Sequence, residues 1–123
     1  MKKYATIFFF FLLVFVCCKP DPAAMLAKKW KPVDATGEKV SDDSREILLK
    51  EGNGMSFFPD GKFVTYTTGE ANDTGTYSLS SDYKSLKVYS SQRNETIFAI
   101  QELKSNRLII ENHGLVLVLK PAH

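Results

Sequence analysis

Few residues in this chain have the types and spacing that chemistry requires. The only cysteines, Cys17 and Cys18, are adjacent, and vicinal cysteines cannot supply the spaced ligands of a zinc site. Of the two histidines, His113 lies in the turn-forming sequence Asn-His-Gly and His123 is the last residue. We therefore expect neither a metal site nor a catalytic histidine.

The acidic residues, serines and glycines also lack the context of a catalytic site. Asp42 and Asp43 are adjacent, which fits the start of a helix, where one carboxylate caps and the other interacts with the helix dipole. No serine stands in a Gly-x-Ser-x-Gly sequence. Gly52 and Gly54 have neither the lysine nor the preceding strand of a phosphate-binding loop. We predict that the protein is not an enzyme and has no cofactor.

The N-terminus has the order of a secretory signal peptide. Lys2 and Lys3 precede ten consecutive apolar residues, Ile7–Val16. This run is shorter than the roughly 20 residues that a membrane-spanning helix needs. A basic segment followed by a short apolar segment and a processing site is typical of a signal peptide. We predict that residues 1–17 are removed.

The cysteines indicate which kind of signal this is. The apolar run leads directly into Cys18 and then into a polar segment with two prolines, Lys19–Pro22. This pattern resembles the lipobox of bacterial lipoproteins, in which a cysteine becomes the first mature residue and carries acyl chains. Lipidation at Cys18 puts the small Cys17 at position −1, whereas lipidation at Cys17 would put the bulky Val16 there. An ordinary signal peptide is the third alternative.

The lipobox resemblance implies a place and a partner for the protein. Residues 18–23 would be the lipidated Cys18 and its tether, and residues 24–123 the folded domain. Because Lys19, and not aspartate, follows Cys18, the resemblance favours an outer-membrane lipoprotein of the bacterial cell envelope. The expected partner is the membrane, contacted through the N-terminal lipid.

Composition limits the partners of the mature chain. Removal of residues 1–17 leaves 106 residues (123 − 17), enough for one domain. It also removes Lys2 and Lys3, so that 14 Lys plus Arg balance 14 Asp plus Glu. A neutral chain has no overall basic field for nucleic acid or for anionic lipid headgroups, so both lose their main electrostatic argument, and we exclude nucleic acid as a partner. No cysteine follows Cys18, so packing alone must hold the domain together.

Two short helices are predicted before the main run of strands. In the first, Asp21 is the N-cap and Pro22 the first helical residue. In the second, Asp43 and Glu46 have the spacing of a capping box, and Gly52 is placed to end the helix.

Eight short strands are predicted from alternating apolar residues and turn signals. They are KWKPVDA, MSFF, KFVTYTT, GTYSL, SLKVYS, ETIFAIQEL, RLIIE and LVLVL. Most connections are too short for a parallel crossover, so neighbouring strands must be antiparallel. A closed barrel removes the sheet edges. The sequence therefore predicts an all-β fold, an eight-stranded antiparallel up-and-down barrel with one or two short N-terminal helices.

The alternation also assigns the two faces of the sheet. The predicted interior consists of Phe57, Phe63, Tyr77, Leu79, Leu86, Val88, Phe98, Ile100, Leu108, Ile110, Leu115, Leu117 and Leu119. A second apolar set faces outward and includes Tyr66, Tyr89, Ile97, Ile109, Val116 and Val118. We expect segment 22–30 or 43–51 to cover this outer set, with Ile47 and Leu48 directed toward it. Without such a cover, the set would be a docking or dimer surface.

Four segments resemble the lipocalin-like domain of small Bacteroidota lipoproteins: LAKKWKPVDATGE, MSFFPDGKFVTYTTGE, GTYSLSSDYKSLKV and FAIQELKSNRLII. The residues that carry the resemblance are Trp30, the Phe57–Phe63 hairpin, Gly75 with Tyr77, Ile100, Leu103, Leu108 and Ile110. The resemblance implies a lipocalin-like barrel and a ligand cavity, and it brings no catalytic residue. The second helix is not part of the shared pattern.

Two functions follow from this fold. A binding protein would hold a small apolar or amphipathic ligand in the barrel, with the interior residues Trp30, Phe57, Phe63, Tyr77 and Phe98 as candidate ligand contacts. Trp30 and Tyr77 would then be amphipathic gatekeepers at the mouth, although for Trp30 we favour a role as the plug of the barrel floor. Alternatively, a filled barrel would be a structural module that acts through its surface, as a homodimer or with an envelope protein.

Overall fold

Eight strands and two short helices form the part of the chain that the computed structural model describes, residues 21–122. The predicted signal peptide, Cys17, Cys18 and His123 lie outside these residues. In chain order the elements are α1 Pro22–Leu26, β1 Lys29–Thr36, α2 Asp42–Leu48, β2 Gly54–Phe57, β3 Lys62–Thr67, β4 Glu70–Leu79, β5 Ser85–Ser90, β6 Glu95–Leu103, β7 Leu108–Asn112 and β8 Leu115–Pro121.

The strands form a closed antiparallel barrel. Each strand pairs with the next, and β8 pairs back with β1 from Trp30 opposite Pro121 to Thr36 opposite Val116. The β1–β2 pairing is the shortest, with Lys29 opposite Ser56 and Trp30 opposite Met55. The predicted eight-stranded up-and-down barrel with two short helices is thus confirmed.

The β2–β3 turn shows why the sequence specifies the register so clearly. Gly61 N donates to Phe58 O at 3.0 Å, and Gly61 has φ +91°, a conformation that glycine adopts without steric cost. Pro59 is the second residue of this four-residue turn, a position that its fixed φ fits. This tight turn places Phe57 opposite Phe63 across the two strands.

The barrel interior is apolar and largely matches the face predicted from alternation. Its fully buried cluster contains Leu26, Trp30, Phe57, Phe63, Leu86, Leu108, Ile110 and Leu119. Half-buried residues that pack against this cluster are Met55, Tyr77, Leu79, Val88, Phe98, Ile100, Leu103 and Leu117. Leu115, also predicted inside, is half-buried near the start of β8.

Helix α1 closes one end of the barrel. Its N-cap is Asp21, whose carboxylate accepts from Ala23 N at 3.3 Å, and Pro22 is the first helical residue, as predicted. Leu26 is fully buried, and the Trp30 indole Nε1 donates to Leu26 O at 3.0 Å. This hydrogen bond and the burial of both side chains make α1 and Trp30 the plug of the closed end.

Helix α2 begins differently from the prediction. Its N-cap is Ser41, whose hydroxyl accepts from Ser44 N at 3.1 Å, so the predicted capping box of Asp43 and Glu46 is wrong. Because Ser41 caps, Asp42 and Asp43 both fall in the first turn, where carboxylates interact favourably with the helix dipole. The helix ends at Leu48, with Leu49 as its C-cap, before the predicted Gly52.

The predicted cover of the outer apolar set is also corrected. Helix α2 lies against β1, where Arg45 Nη2 is 2.6 Å from Asp34 Oδ1. Ile47 is 67% exposed, contrary to the prediction, while Leu48 is half-buried. Ile97 is 52% exposed because its strand, β6, lies three strands away from β1 around the barrel.

Candidate functional site

The end of the barrel opposite α1 contains a cavity of about 280 Å³. Its apolar lining residues are Met55, Phe57, Phe63, Val88 and Phe98, and its polar lining residues are Thr65, Asp73, Ser90, Asn94 and Thr96. We call these ten residues the barrel cavity. The closed end is packed with Leu26 and Trp30, so the barrel is filled at one end and hollow at the other.

Strand alternation explains why the cavity has an apolar floor and a polar rim. On β3, Phe63 and Thr65 are two residues apart, and on β6, Thr96 and Phe98 are as well, so each pair faces the interior together. In both pairs the polar residue is nearer the open end. An apolar molecule can therefore enter deep into the cavity while a polar group stays at the rim.

Gly75 makes room for one of the floor residues. It lies opposite Phe63 in the β3–β4 register, and a Cβ atom at this position would come within 2.6 Å of Phe63 Cε1. The same Cβ would collide with the backbone oxygen of Tyr89. The absence of a side chain at Gly75 thus lets the Phe63 ring and the β5 backbone at Tyr89 both approach β4 closely.

The rim is organised by hydrogen bonds to the β5–β6 turn. Asp73 Oδ1 accepts from Ser91 Oγ at 2.7 Å and from Thr74 N at 2.8 Å. Ser90 Oγ accepts from Asn94 N at 3.3 Å. These contacts fix the turn beside the mouth of the cavity and hold Asp73 and Asn94 in its wall.

The structure brings together three of the five candidate ligand contacts. Phe57, Phe63 and Phe98 line the barrel cavity. Trp30 and Tyr77 do not line it: Trp30 is the second residue of β1, at the closed end, and Tyr77, opposite Val88 in the β4–β5 register, packs against the Phe57 ring. The two predicted gatekeepers therefore do not stand at the mouth.

Tyr77 instead supports the closed end. Its hydroxyl donates to Phe58 O at 2.6 Å, and its ring meets that of Phe57 edge to face with centroids 5.0 Å apart. Burial, with a smaller effect from the carboxylate of Asp60, raises the pKa of Tyr77. The hydroxyl therefore stays protonated and keeps its role as a donor.

The polar rim was not predicted from the sequence. Thr65, Ser90 and Thr96 follow the same alternation as Phe63, Val88 and Phe98, so the pattern could have identified them. Asp73 gave no such signal, because the fourth strand was predicted to begin at Gly75, whereas β4 begins at Glu70. The segment before Gly75 is polar and lacks alternating apolar residues.

A smaller pocket of about 220 Å³ adjoins the barrel cavity within the described residues; it shares Met55 and Thr65 with it and is bounded by Leu48 on the side of α2. A depression of about 600 Å³ lies on the outer wall of β6, around Ile97, Ala99 and Glu111, and is a surface groove rather than an interior cavity. Within residues 21–122, no three His, Cys, Asp or Glu side chains are grouped so that they could hold a metal ion. The two helices described here are too short to span a bilayer.

The comparisons with known proteins concern the fold. No protein-family model matches the sequence, and no curated protein sequence is similar to it. A crystal structure of an uncharacterized protein from Bacteroides eggerthii is similar, with a TM-score of 0.63 over 79% of this chain and 99% of that one, at 12% identity. At this identity the likeness shows the fold alone, which is a small, closed, eight-stranded antiparallel β-barrel.

Proposed function

We propose that this protein is a membrane-anchored, lipocalin-like binding lipoprotein that holds a small apolar or amphipathic ligand in the open end of its barrel. The barrel cavity is the observation that carries this proposal. It is concave, mainly apolar and rimmed by a few polar groups, which is the usual composition of a small-molecule site.

The size of the cavity limits the ligand. An eight-stranded barrel is just wide enough either to be filled by side chains or to hold one small molecule. Here both conditions occur in one barrel, since Leu26 and Trp30 fill the closed end and about 280 Å³ is free at the other. This volume is at the lower limit of typical ligand pockets, roughly 300–1,000 Å³, so the ligand is small.

The anchor would be acyl chains on Cys18, which set the orientation of the barrel. Asp21 is three residues from Cys18, and three residues of extended chain span about 10 Å at most. Because α1 begins at the closed end, a lipid on Cys18 would hold that end against the bilayer. The mouth would then face away from the membrane, and the ligand would exchange with the aqueous compartment.

The second candidate function is a structural module of the cell envelope without a ligand. It is favoured by the exposed apolar side chains on the outer wall, Ile97 at 52% and Tyr89 at 45% exposure. A partner protein or a second copy would bind there. The barrel cavity would then have no occupant.

Binding of a neutral apolar dye distinguishes the two functions. We expect phenylnaphthylamine to fluoresce in the wild-type barrel and Val88→Phe or Thr96→Phe to abolish this by filling the cavity. Ile97→Phe is the matched control, since Ile97 lies between Thr96 and Phe98 on β6 but does not line the cavity. Circular dichroism checks that each variant folds. If the folded wild type binds no dye and nothing co-purifies with it by mass spectrometry, the binding function is excluded.

A further inference from the structure

Resting on the proposed binding function, we propose that the ligand of the barrel cavity carries a cationic amine and that the Asp73 carboxylate binds it. Asp73 is the acidic residue of the cavity lining, and no lysine or arginine lines the cavity. The expected ligand is therefore amphipathic, with an apolar body against Phe57, Phe63 and Phe98 and an ammonium group at the rim.

The hydrogen bonds of Asp73 leave one carboxylate oxygen free. Oδ1 accepts from Ser91 and Thr74, but Oδ2 accepts no hydrogen bond within residues 21–122, and no basic side chain of this part of the chain pairs with Asp73. A ligand with an apolar group at the rim would desolvate this oxygen without replacing its hydrogen bonds, so it should bind less tightly than a ligand with a donor there. An anion would be repelled, whereas an ammonium group supplies both charge and donors.

The charged residues around the mouth of the cavity also favour a cationic ligand. The open end comprises residues 37–53, 68–74, 90–95 and 111–115. It carries nine acidic residues, Glu38, Asp42, Asp43, Glu46, Glu51, Glu70, Asp73, Glu95 and Glu111. It carries four basic residues, Lys39, Arg45, Lys50 and Arg93, which leaves a net charge of 4 − 9 = −5. Such a field raises the local concentration of cations at the mouth.

Displacement of bound phenylnaphthylamine by three compounds with the same phenyl-and-alkyl body tests this proposal. Phenylbutylamine, phenylbutanol and phenylbutyrate differ only in the terminal group. We expect the amine to bind about tenfold or more tightly than the alcohol, because a charge-assisted hydrogen bond is roughly twice as strong as a neutral one, and the acid to bind weakest. Asp73→Asn should reduce amine affinity to that of the alcohol, since asparagine keeps an acceptor for Ser91 but has no charge.

The control and the contradicting outcomes are separate from those of the proposed function. Glu70→Gln removes a charge from the same strand at a position outside the cavity lining and should leave the amine preference unchanged. If amine and alcohol bind equally, or if Asp73→Asn keeps the preference, the ligand class is wrong while ligand binding stands. If neither the dye nor any of the three compounds binds, the proposed function itself is wrong.

A different observation concerns the opposite end of the molecule. We infer that the closed end contacts anionic lipid headgroups. This end comprises residues 21–31, 58–62, 80–84, 102–107 and 119–122. Its basic residues are Lys28, Lys29, Lys31, Lys62, Lys84, Lys104, Arg107 and Lys120. Its acidic residues are Asp21, Asp60, Asp82 and Glu102, which gives a net charge of 8 − 4 = +4.

One pair of these lysines is poorly placed in the absence of an anion. Lys31 and Lys120 are directly opposite each other in the β1–β8 register, and both are exposed. Like charges at directly opposed positions are destabilising. Within residues 21–122 neither lysine pairs with a carboxylate. A headgroup phosphate between them would relieve this repulsion.

Aromatic side chains at two turns complete the surface. Phe58 and Tyr83 are 41% and 43% exposed in the β2–β3 and β4–β5 turns, both at the closed end. Aromatic residues among lysines are typical of segments that lie at a membrane–water interface. This surface is at the end of the barrel where the chain enters from Cys18, so the two contacts with the membrane would be adjacent.

Vesicle binding of an unlipidated protein tests this surface. The barrel and its core lie within residues 21–122, so a chain that begins at Lys19 retains both. We expect it to bind vesicles of equimolar phosphatidylcholine and phosphatidylglycerol but not pure phosphatidylcholine. Lys31→Glu with Lys120→Glu should weaken binding about tenfold or more, as each basic residue near an anionic surface contributes substantially. Lys39→Glu with Lys50→Glu, at the open end, is the charge-matched control. Equal binding to both vesicles, or equal loss in the control, would overturn the inference.

Discussion

Phe63 and Phe98 both face the barrel interior, but they are buried to different extents. Phe63 is 4% exposed, whereas Phe98 is half-buried at the cavity. Phe63→Ala should cost roughly 3–5 kcal/mol of unfolding free energy, the usual cost of truncating a buried phenylalanine. Phe98→Ala should cost less, because part of its ring already faces free volume. Urea denaturation of both variants measures the difference, and a larger loss for Phe98→Ala would mean that the cavity is closed at Phe98.

Individual residues divide into those that alternation identifies and those that it cannot. The period of two correctly assigned Phe57, Phe63 and Phe98 to the interior, because one face of each strand must be apolar. Alternation does not give the position of Trp30 along the barrel, for which two roles were predicted, gatekeeper at the mouth and plug of the floor. Its indole donates to a backbone oxygen of α1, and the packing of a helix against the end of a barrel depends on contacts between distant parts of the chain.

At the scale of elements, the strands were predictable because each is bounded by a strong turn signal. The β4 strand is the exception. It begins at Glu70, five residues before the predicted start at Gly75, and these five residues are polar except for Ala71. The cap of α2 was misassigned for another reason. Ser41, Asp42 and Asp43 are consecutive and all can cap a helix, so the sequence alone does not rank them.

Gly75 is the element-scale test of the β3–β4–β5 packing. Gly75→Ala should destabilise the barrel by about 3 kcal/mol or more, because a Cβ atom would collide with the Tyr89 backbone and displace the Phe63 ring. Thr76→Ala, at the next and exposed position of the same strand, should change stability little. Thermal unfolding of the two variants makes the comparison. Equal stability of Gly75→Ala and the wild type would show that β4 and β5 do not approach as closely as described.

The β6–β7 connection makes stability depend on pH. Glu102 accepts from Arg107, with Nη2 and Oε1 2.9 Å apart, and from Lys104 at 3.0 Å. The hydrogen bond from Arg107, followed by that from Lys104, lowers the pKa of Glu102 from 4.5 to about 2. Because the pKa of Glu102 is lower in the folded than in the unfolded chain, its ionised form stabilises the folded state at pH values above 4.5. This stabilisation is lost as the pH falls from 4.5 toward 2.

Comparison with Glu102→Gln isolates this effect. The wild type should melt at a higher temperature than the variant at about pH 6, and the difference should close progressively between pH 4.5 and 2. High salt should also reduce the difference, because these side chains are partly exposed. A difference in melting temperature that is constant with pH would contradict an ionised Glu102 as its source.

At the scale of the whole molecule, closure of the sheet was predictable, but the location of free volume was not. Eight short antiparallel strands leave no other way to remove two sheet edges. Whether the barrel is filled depends on which large side chains meet at the same level. That is set by strand tilt and by irregularities such as the register shift between Thr65 and Tyr66, which alternation does not reveal.

The proposed lipid anchor on Cys18 would determine how this asymmetric molecule is oriented in the envelope. We expect Cys18→Ser to release the protein from the membrane fraction into the soluble envelope fraction, because several acyl chains provide stable attachment and the closed-end surface alone binds reversibly. Cys17→Ser is the matched control, since it keeps Cys18 and places another small residue before it. Fractionation together with labelling by a fatty-acid analogue measures both variants. Label that persists in Cys18→Ser and disappears in Cys17→Ser would move the lipid to Cys17, adding one residue to the tether while leaving the closed end toward the bilayer. Label that is absent from the wild type would reduce the N-terminus to an ordinary signal peptide, and the barrel would then carry its ligand without a covalent anchor.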